Sequence, residues 1–72
     1  MMGYITVDVG KLGCEIKTFT LEEGTTVTEA INLAGYTVES GYEIRVDGEV
    51  ANGSETLADG ATVVITKMIK GN

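Results

Sequence analysis

Few residues of this chain could do chemistry, and the commonest catalytic type is absent. The 72-residue sequence contains no histidine, so it lacks the side chain that most often serves as a general base or metal ligand. Its single cysteine, Cys14, precedes Glu15, whereas a reactive thiolate is favoured by positive charge or a helix N-terminus beside it. We therefore predict a structural or incidental role for Cys14, with a redox or metal-binding role as the alternative.

Acidic residues form the second group that could do chemistry. Asp47, Glu49 and Glu55 share a segment with Asn52. Their spacing lacks the alternating Asp/Asn pattern and closing Glu of a calcium loop, so a solvated turn is the better interpretation. A chain this short also leaves little space for a ligand pocket, which usually needs roughly 300 Å³ or more. The sequence thus predicts no metal, no cofactor and no independent enzyme.

Charge and composition narrow the classes of partner. Eleven acidic residues against five basic ones give a net charge of −6, whereas nucleic-acid binding requires clustered positive charge. The acidity serves either general solubility or docking against a basic groove of a partner. Residues 1–4 carry no signal-peptide pattern, no apolar run approaches a membrane span, and a lone cysteine fits a reducing compartment. We expect one cytoplasmic domain over residues 1–72, binding neither nucleic acid nor membrane.

The first half of the chain predicts two strands and a helix. Residues 4–9 alternate apolar and polar side chains, as a half-buried strand does. A second strand is predicted from Cys14 to Leu21, and its imperfect alternation suggests a bulge. Thr26 and Glu29 have the spacing of a capping box, and Gly35 stands where a left-handed cap would end the helix. The helix is therefore predicted between Thr26 and Gly35.

The second half predicts three strands separated by two Asp-Gly turns. Alternation over residues 42–46 indicates a strand, and Asp47-Gly48 is a strong hairpin signal leading into a brief strand over 49–51. Asp59-Gly60 is the turn before a β-branched strand over 62–69. The order β-β-α-β-β-β, with the two terminal strands as a central parallel pair, predicts an α+β fold of the β-grasp type: a mixed sheet with one helix packed across it.

The apolar phase of each predicted element gives the expected core. Its members are Ile5, Val7, Phe19, Val27, Ile31, Leu57, Val63 and Ile65.

Three segments, in this order and spacing, resemble the sulfur-carrier branch of the ubiquitin-like β-grasp proteins, which includes the thiamin-pathway carrier and the small subunit of molybdopterin synthase (ThiS/MoaD). Residues 24–27 open the helix, residues 45–49 stand where the carriers have a short valine-asparagine-glycine hairpin, and residues 57–63 lead into the final strand. The resemblance covers nearly the whole chain and implies the ubiquitin-like β-grasp fold.

For mechanism, the resemblance concerns the C-terminal tail. In such carriers an adenylating enzyme activates the terminal carboxylate as an acyl-adenylate, which sulfur converts to a thiocarboxylate. By position Ile69 corresponds to the apolar tail residue and Gly71 to the penultimate glycine, while Asn72 stands in place of the terminal glycine. Since glycine accepts any φ and has no side chain to clash, Asn72 is expected to disfavour activation.

Two functions follow as hypotheses. The preferred one is a non-catalytic ubiquitin-like protein that binds another protein or assembles into a larger particle. The alternative is a sulfur or acyl carrier whose partner is an adenylating enzyme and whose Asn72 is tolerated, or trimmed to expose Gly71. For the preferred hypothesis we predict partner contacts on the outward phase of the sheet; otherwise these are scattered surface residues, which are normal. The candidates in that phase are Tyr4, Ile16, Val64 and Met68, and Ile69 of the tail is a further candidate for partner binding.

Overall fold

A computed structural model describes residues 3–68, over which five strands and one helix follow the order β-β-α-β-β-β. The elements are β1 (Tyr4–Lys11), β2 (Lys17–Glu22), α1 (Val27–Ala34), β3 (Tyr42–Val46), β4 (Glu49–Val50) and β5 (Thr62–Lys67).

The strands form one mixed sheet in the order β2-β1-β5-β3-β4. The central pair, β1 and β5, is parallel, in a register that runs from Asp8 beside Thr62 to Lys11 beside Ile65. The other three pairings are antiparallel. The predicted α+β architecture and the parallel pairing of the first and last strands are therefore confirmed.

The helix begins and ends at the predicted signals. Thr26 is the N-cap: its hydroxyl accepts from the Glu29 amide, and the Glu29 carboxylate accepts from the Thr26 amide at 2.9 Å. Gly35 ends the helix with φ of 82°, a left-handed conformation that costs glycine little. At that end, Lys17 Nζ donates to the Ala34 carbonyl at 2.9 Å. No helix within residues 3–68 has the length and apolar character to cross a bilayer.

The aspartates of two turns, Asp47 and Asp59, accept hydrogen bonds from backbone amides of the two central strands. Asp47 and Gly48 both have positive φ, 53° and 87°, as a two-residue hairpin of type I′ requires. Asp47 Oδ1 accepts from the Thr62 amide at 3.0 Å, and Asp59 Oδ1 accepts from the Thr6 amide at 2.8 Å. Each carboxylate thereby fixes one central strand near its start.

The core lies between α1 and the covered face of the sheet. Seven of the eight predicted core residues are buried, and the eighth, Phe19, is partly buried and packs against them. The structure adds five buried residues, which are Val9, Leu21, Ala30, Ala34 and Ala61.

The second strand was predicted too early, and its bulge was wrong. Strand β2 begins at Lys17 instead of Cys14, because the Cys14 amide donates to the Lys11 carbonyl at 2.7 Å and continues the turn. From Lys17 onward the pairing with β1 is continuous. The first strand ends at Lys11 instead of the predicted residue 9, and β4 ends at Val50 instead of the predicted residue 51. Strand β5 ends at Lys67, and its predicted end at Ile69 lies outside the described residues.

Candidate functional site

The residues that could do chemistry lie apart or serve turns. Cys14 is exposed in the connection between β1 and β2. The carboxylate of Asp47 accepts from the Thr62 amide, and that of Glu55 accepts from the Asn52 amide at 3.0 Å. Among residues 3–68, no group of three potential ligands could hold a metal ion. The bonds of Asp47 and Glu55 show that these two carboxylates stabilise turns.

The tail candidates Ile69, Gly71 and Asn72 lie outside the described residues. Met68 is the last described residue, and its amide donates to the Gly41 carbonyl at 2.8 Å. This bond continues the pairing of β5 with β3, so the chain remains attached to the sheet up to that point.

The uncovered face of the sheet carries a line of residues that crosses four of its strands and ends beside the start of the fifth. Gly10 of β1 pairs with Val64 of β5, and Val64 pairs in turn with Arg45 of β3. Arg45 pairs with Val50 of β4, and Ile16 lies over Gly10 immediately before β2. Directly paired residues point to the same face of a sheet. We call this line, from Ile16 through Gly10, Val64 and Arg45 to Val50, the outer row.

Gly10 allows the Ile16 side chain to lie close to the β1 backbone at the β2 end of the outer row. A Cβ atom built on Gly10 would lie 2.7 Å from Ile16 Cγ1, a distance that real Cβ contacts do not tolerate. The missing side chain thus lets Ile16 lie directly on the β1 backbone. Even so, Ile16 remains 63% exposed. Its position is set by a close backbone approach while its apolar surface faces solvent.

Arg45 occupies the other half of the outer row, between Val64 and Val50. Its Nε donates to Glu43 Oε2 at 2.8 Å and its Nη1 donates to the Gly48 carbonyl at 3.0 Å. A guanidinium has five N–H donors, so these two bonds orient it and leave further donors for an acceptor. The side chain is 36% exposed, and Val50 beside it is 62% exposed.

Two of the predicted contact residues fall in the outer row, namely Ile16 and Val64. Met68 is 52% exposed and lies four residues beyond Val64. Tyr4 is 68% exposed but lies six residues before Gly10 on β1, or about 20 Å along the strand at the usual rise. The structure therefore groups Ile16 with Val64 and separates Tyr4 from them.

Sequence reasoning missed Gly10, Arg45 and Val50 as members of this surface. A signal for two of them was present. The two-residue turn at 47–48 fixes the hairpin register, so Arg45 must face Val50 across it. The Gly10 contact had no such local signal, because it depends on how the connection between β1 and β2 folds back.

Two lysines are held against the loop that follows the helix. Lys11 Nζ donates to the Thr37 carbonyl at 2.9 Å and lies 3.0 Å from Glu39 Oε1. Lys17 Nζ, bound to the end of α1, lies 5.0 Å from the centre of the Tyr36 ring. Lys11 thus forms an ion pair with Glu39 and Lys17 donates to the end of the helix, so both ammonium groups are engaged locally.

Tyr36 closes the same end of the core. Its hydroxyl donates to the Glu15 carbonyl at 2.6 Å. Partial burial of the phenol, followed by the nearby charges of Cys14 and Glu15, raises the pKa of Tyr36 above its ordinary value of 10.0.

Comparison with known proteins identifies the fold. No protein-family model and no curated protein matches the chain. Among solved structures, the ubiquitin of Caldiarchaeum subterraneum matches with a TM-score of 0.63 and 15% sequence identity, over 97% of this chain and 100% of that one. The fold is a ubiquitin-like β-grasp. At this identity the likeness concerns the fold, and function has to be argued from the sites of this chain.

The fold brings together the three segments on which the predicted sulfur-carrier resemblance rests. The Val27 amide donates to the Glu55 carbonyl, and the Leu57 amide donates to the Thr25 carbonyl, both at 2.9 Å, so residues 24–27 contact the start of 57–63. The hairpin over 45–49 reaches the same segment through the bond between Asp47 and Thr62. The three segments therefore meet one another, and each stabilises the scaffold.

Proposed function

We propose that this chain is a non-catalytic ubiquitin-like protein that acts as a protein-interaction or assembly module through the outer row. The observation that carries the proposal is the alignment of exposed Ile16 and Val50 on either side of Val64 and Arg45. The outer row extends from Ile16, beside the start of β2, to β4 and is about 19 Å wide at the usual strand spacing, which suits the centre of a protein interface.

The composition of the outer row defines the partner it would fit. Fully burying a valine or isoleucine contributes about 1.5–3 kcal/mol, and Ile16 and Val50 retain most of that contribution for association because they are exposed. Arginine is enriched among the residues that dominate interfaces. The expected partner therefore presents an apolar surface with a carboxylate or carbonyl oxygen placed to accept from Arg45.

The lack of catalytic chemistry supports a binding role. The sequence has no histidine. The exposed thiol of Cys14 lies in the connection between β1 and β2, and the next residue, Glu15, accepts from Tyr36, which follows the C-terminal end of α1. Within residues 3–68 the acidic side chains form no metal-binding group.

Site-specific photo-crosslinking tests the module hypothesis. A benzophenone amino acid placed at Val50 should give a discrete protein adduct in the source cell, and Ile16→Asp should abolish it. The matched control places the same amino acid at Thr6, which is exposed on the same face but outside the outer row. The same adduct in equal yield from both positions, or none from Val50, would show that the outer row is not the interface.

The carrier hypothesis remains the alternative because the central strand β5 leads directly towards Ile69, Gly71 and Asn72. On the module hypothesis, an adenylating enzyme from the same cell with ATP forms no acyl-adenylate on the wild-type chain but does form one on Asn72→Gly. Equal reaction of both chains would favour the carrier. So would an intact mass of the native protein that shows a thiocarboxylate or a chain ending at Gly71.

A further inference from the structure

The two edges of the sheet are unlike each other. At one edge β4 has only two residues, whereas β2 at the other edge has six. Short edge strands are one device by which proteins prevent unwanted strand pairing, together with charges and prolines along the edge. The β2 sequence, Lys17 to Glu22, has charges only at its two ends and no proline. Its centre therefore lacks the usual protection.

The register shows which backbone groups of β2 point outward. The Glu23 amide donates to the Gly3 carbonyl at 2.9 Å, so the hydrogen-bonded pairs between β1 and β2 are those of their odd-numbered residues. The even-numbered residues Thr18 and Thr20 must then direct their N–H and C=O groups away from β1. Among residues 3–68, no backbone hydrogen bond outside the strand pairings involves either residue.

An acidic depression lies where this free edge ends. It is open to solvent, has a volume of about 410 Å³ and lies between the last residue of β2 and helix α1, so it is a surface depression and differs from the enclosed ligand pocket for which a chain this short has little space. Its lining residues are Glu22, Thr25, Glu29, Asn32 and Leu33. Two carboxylates therefore face it together with the side chain of Leu33, which is 61% exposed, and no lysine or arginine of residues 3–68 lines it.

We propose that the β2 edge binds an extended segment of a partner protein as an additional strand, with a lysine or arginine of that segment reaching the acidic depression. Main-chain hydrogen bonds to Thr18 and Thr20 supply the pairing, as in other strand-addition complexes. The methylene groups of the basic side chain contact Leu33 while its charge meets Glu22 and Glu29.

Charge and area favour such a segment over a second copy of this chain. Two copies would bring charges of −6 together. A six-residue edge also buries much less than the roughly 1,000 Å² of a stable protein interface. The proposed surface runs along the sheet edge over Thr18 and Thr20, whereas the outer row lies across the sheet face and reaches that edge only at Ile16.

Peptide titration followed by amide NMR and hydrogen exchange tests the proposal. Two acetylated, amidated peptides are used: valine-threonine-valine-threonine-valine followed by two arginines, or by two glutamates. The arginine peptide should bind with a Kd of about 1 mM or tighter. At saturation it should slow exchange of the Thr18 and Thr20 amides about tenfold or more. The glutamate peptide should not bind.

Matched variants separate backbone pairing from side-chain effects. Thr20→Pro removes one outward N–H and should abolish binding, whereas Thr20→Val keeps it and should bind like wild type. Both variants are checked for the wild-type NMR pattern of β5. Glu22→Gln and Glu29→Gln should each weaken binding about two- to fivefold, as expected for exposed ion pairs. Glutamine at position 29 retains an oxygen for the capping box.

Several results would overturn the proposal. These are no binding of the arginine peptide at millimolar concentration, equal binding of the glutamate peptide, or unchanged binding by Thr20→Pro. If the Thr18 and Thr20 amides exchanged more slowly as the protein concentration rose in the absence of peptide, the edge would instead pair with a second copy of the chain.

Discussion

The two faces of the same sheet use similar residues for opposite purposes. On the inner face, Val63 and Ile65 are completely buried beneath α1 and its flanking segments. On the outer face Val64, between them, is only partly buried, and Val50 at the end of its row is 62% exposed. Successive residues of a strand point to opposite faces, so a shift of one position separates a residue that stabilises the fold from one available to a partner.

The comparison implies that substitutions on the two faces should be separable by experiment. Inner-face changes should lower the free energy of unfolding, and any effect on binding should follow from that loss. Outer-row changes should leave unfolding nearly unchanged and alter association directly.

The largest expected effect is on the inner face. Ile65→Ala should lower the free energy of unfolding by about 2–5 kcal/mol, because it removes buried methyl groups and leaves a cavity. Ile31→Ala on the helix should act similarly. Val64→Ala is the matched control on the same strand and should cost less than about 1 kcal/mol, since the side chain is only partly buried. Urea denaturation measures all three, and equal costs at positions 64 and 65 would contradict the comparison.

A smaller effect is expected where the outer row contacts the β1 backbone. Gly10→Ala should cost about 1–3 kcal/mol, because the new methyl group must displace the Ile16 side chain. Chemical shifts of the Ile16 methyl groups should change together with stability.

Gly3→Ala is the control for that substitution. Its added Cβ would be no closer than 3.4 Å to the side chain of Glu23, so the free energy of unfolding should stay within about 0.5 kcal/mol of wild type. If Gly10→Ala were equally neutral, Ile16 would not be held by the close approach to β1.

The smallest effect concerns the rim of the inner face, where Tyr36 meets solvent. Because its pKa is raised above 10.0 in the folded protein, the neutral phenol is favoured by folding. Its contribution to stability is therefore fully present below pH 10.0 and is lost as the pH rises through the higher folded-state pKa. Tyr36→Phe should remove this dependence. Ultraviolet titration of native and urea-unfolded protein measures it, and coincident Tyr36 titrations would contradict it.

Features determined by short segments were predictable from the sequence. The capping box at Thr26 and Glu29 and the turn at Asp47-Gly48 depend on neighbouring residues, and both are present. The start of β2 was not predictable in the same way. Ile16 has the residue type of a strand residue, yet it lies in the connection before β2, because the turn closed by the Cys14 amide delays the start of that strand.

The candidate surfaces needed tertiary information to differing degrees. Arg45 and Val50 could have been paired from the turn between them, but Gly10 and Val64 are 54 positions apart and meet only through the parallel register. The acidic depression joins β2 to a helix that follows it and could not be read from either segment alone. The tail hypotheses on Gly71 and Asn72 stay predictions, since those residues lie outside the described range.

The parallel pairing of β1 with β5 gives the fold a direction of mechanical resistance. Strand β1 begins at one end of the sheet, and β5 finishes at the other. A force applied between Tyr4 and Lys67 therefore slides β1 and β5 past each other and loads all the hydrogen bonds between them at once. A force that separates Tyr42 from Lys67 instead opens the antiparallel pairing of β3 and β5 one hydrogen bond at a time. If this protein is built into an assembly, tension along the first axis will be resisted far more strongly than tension along the second.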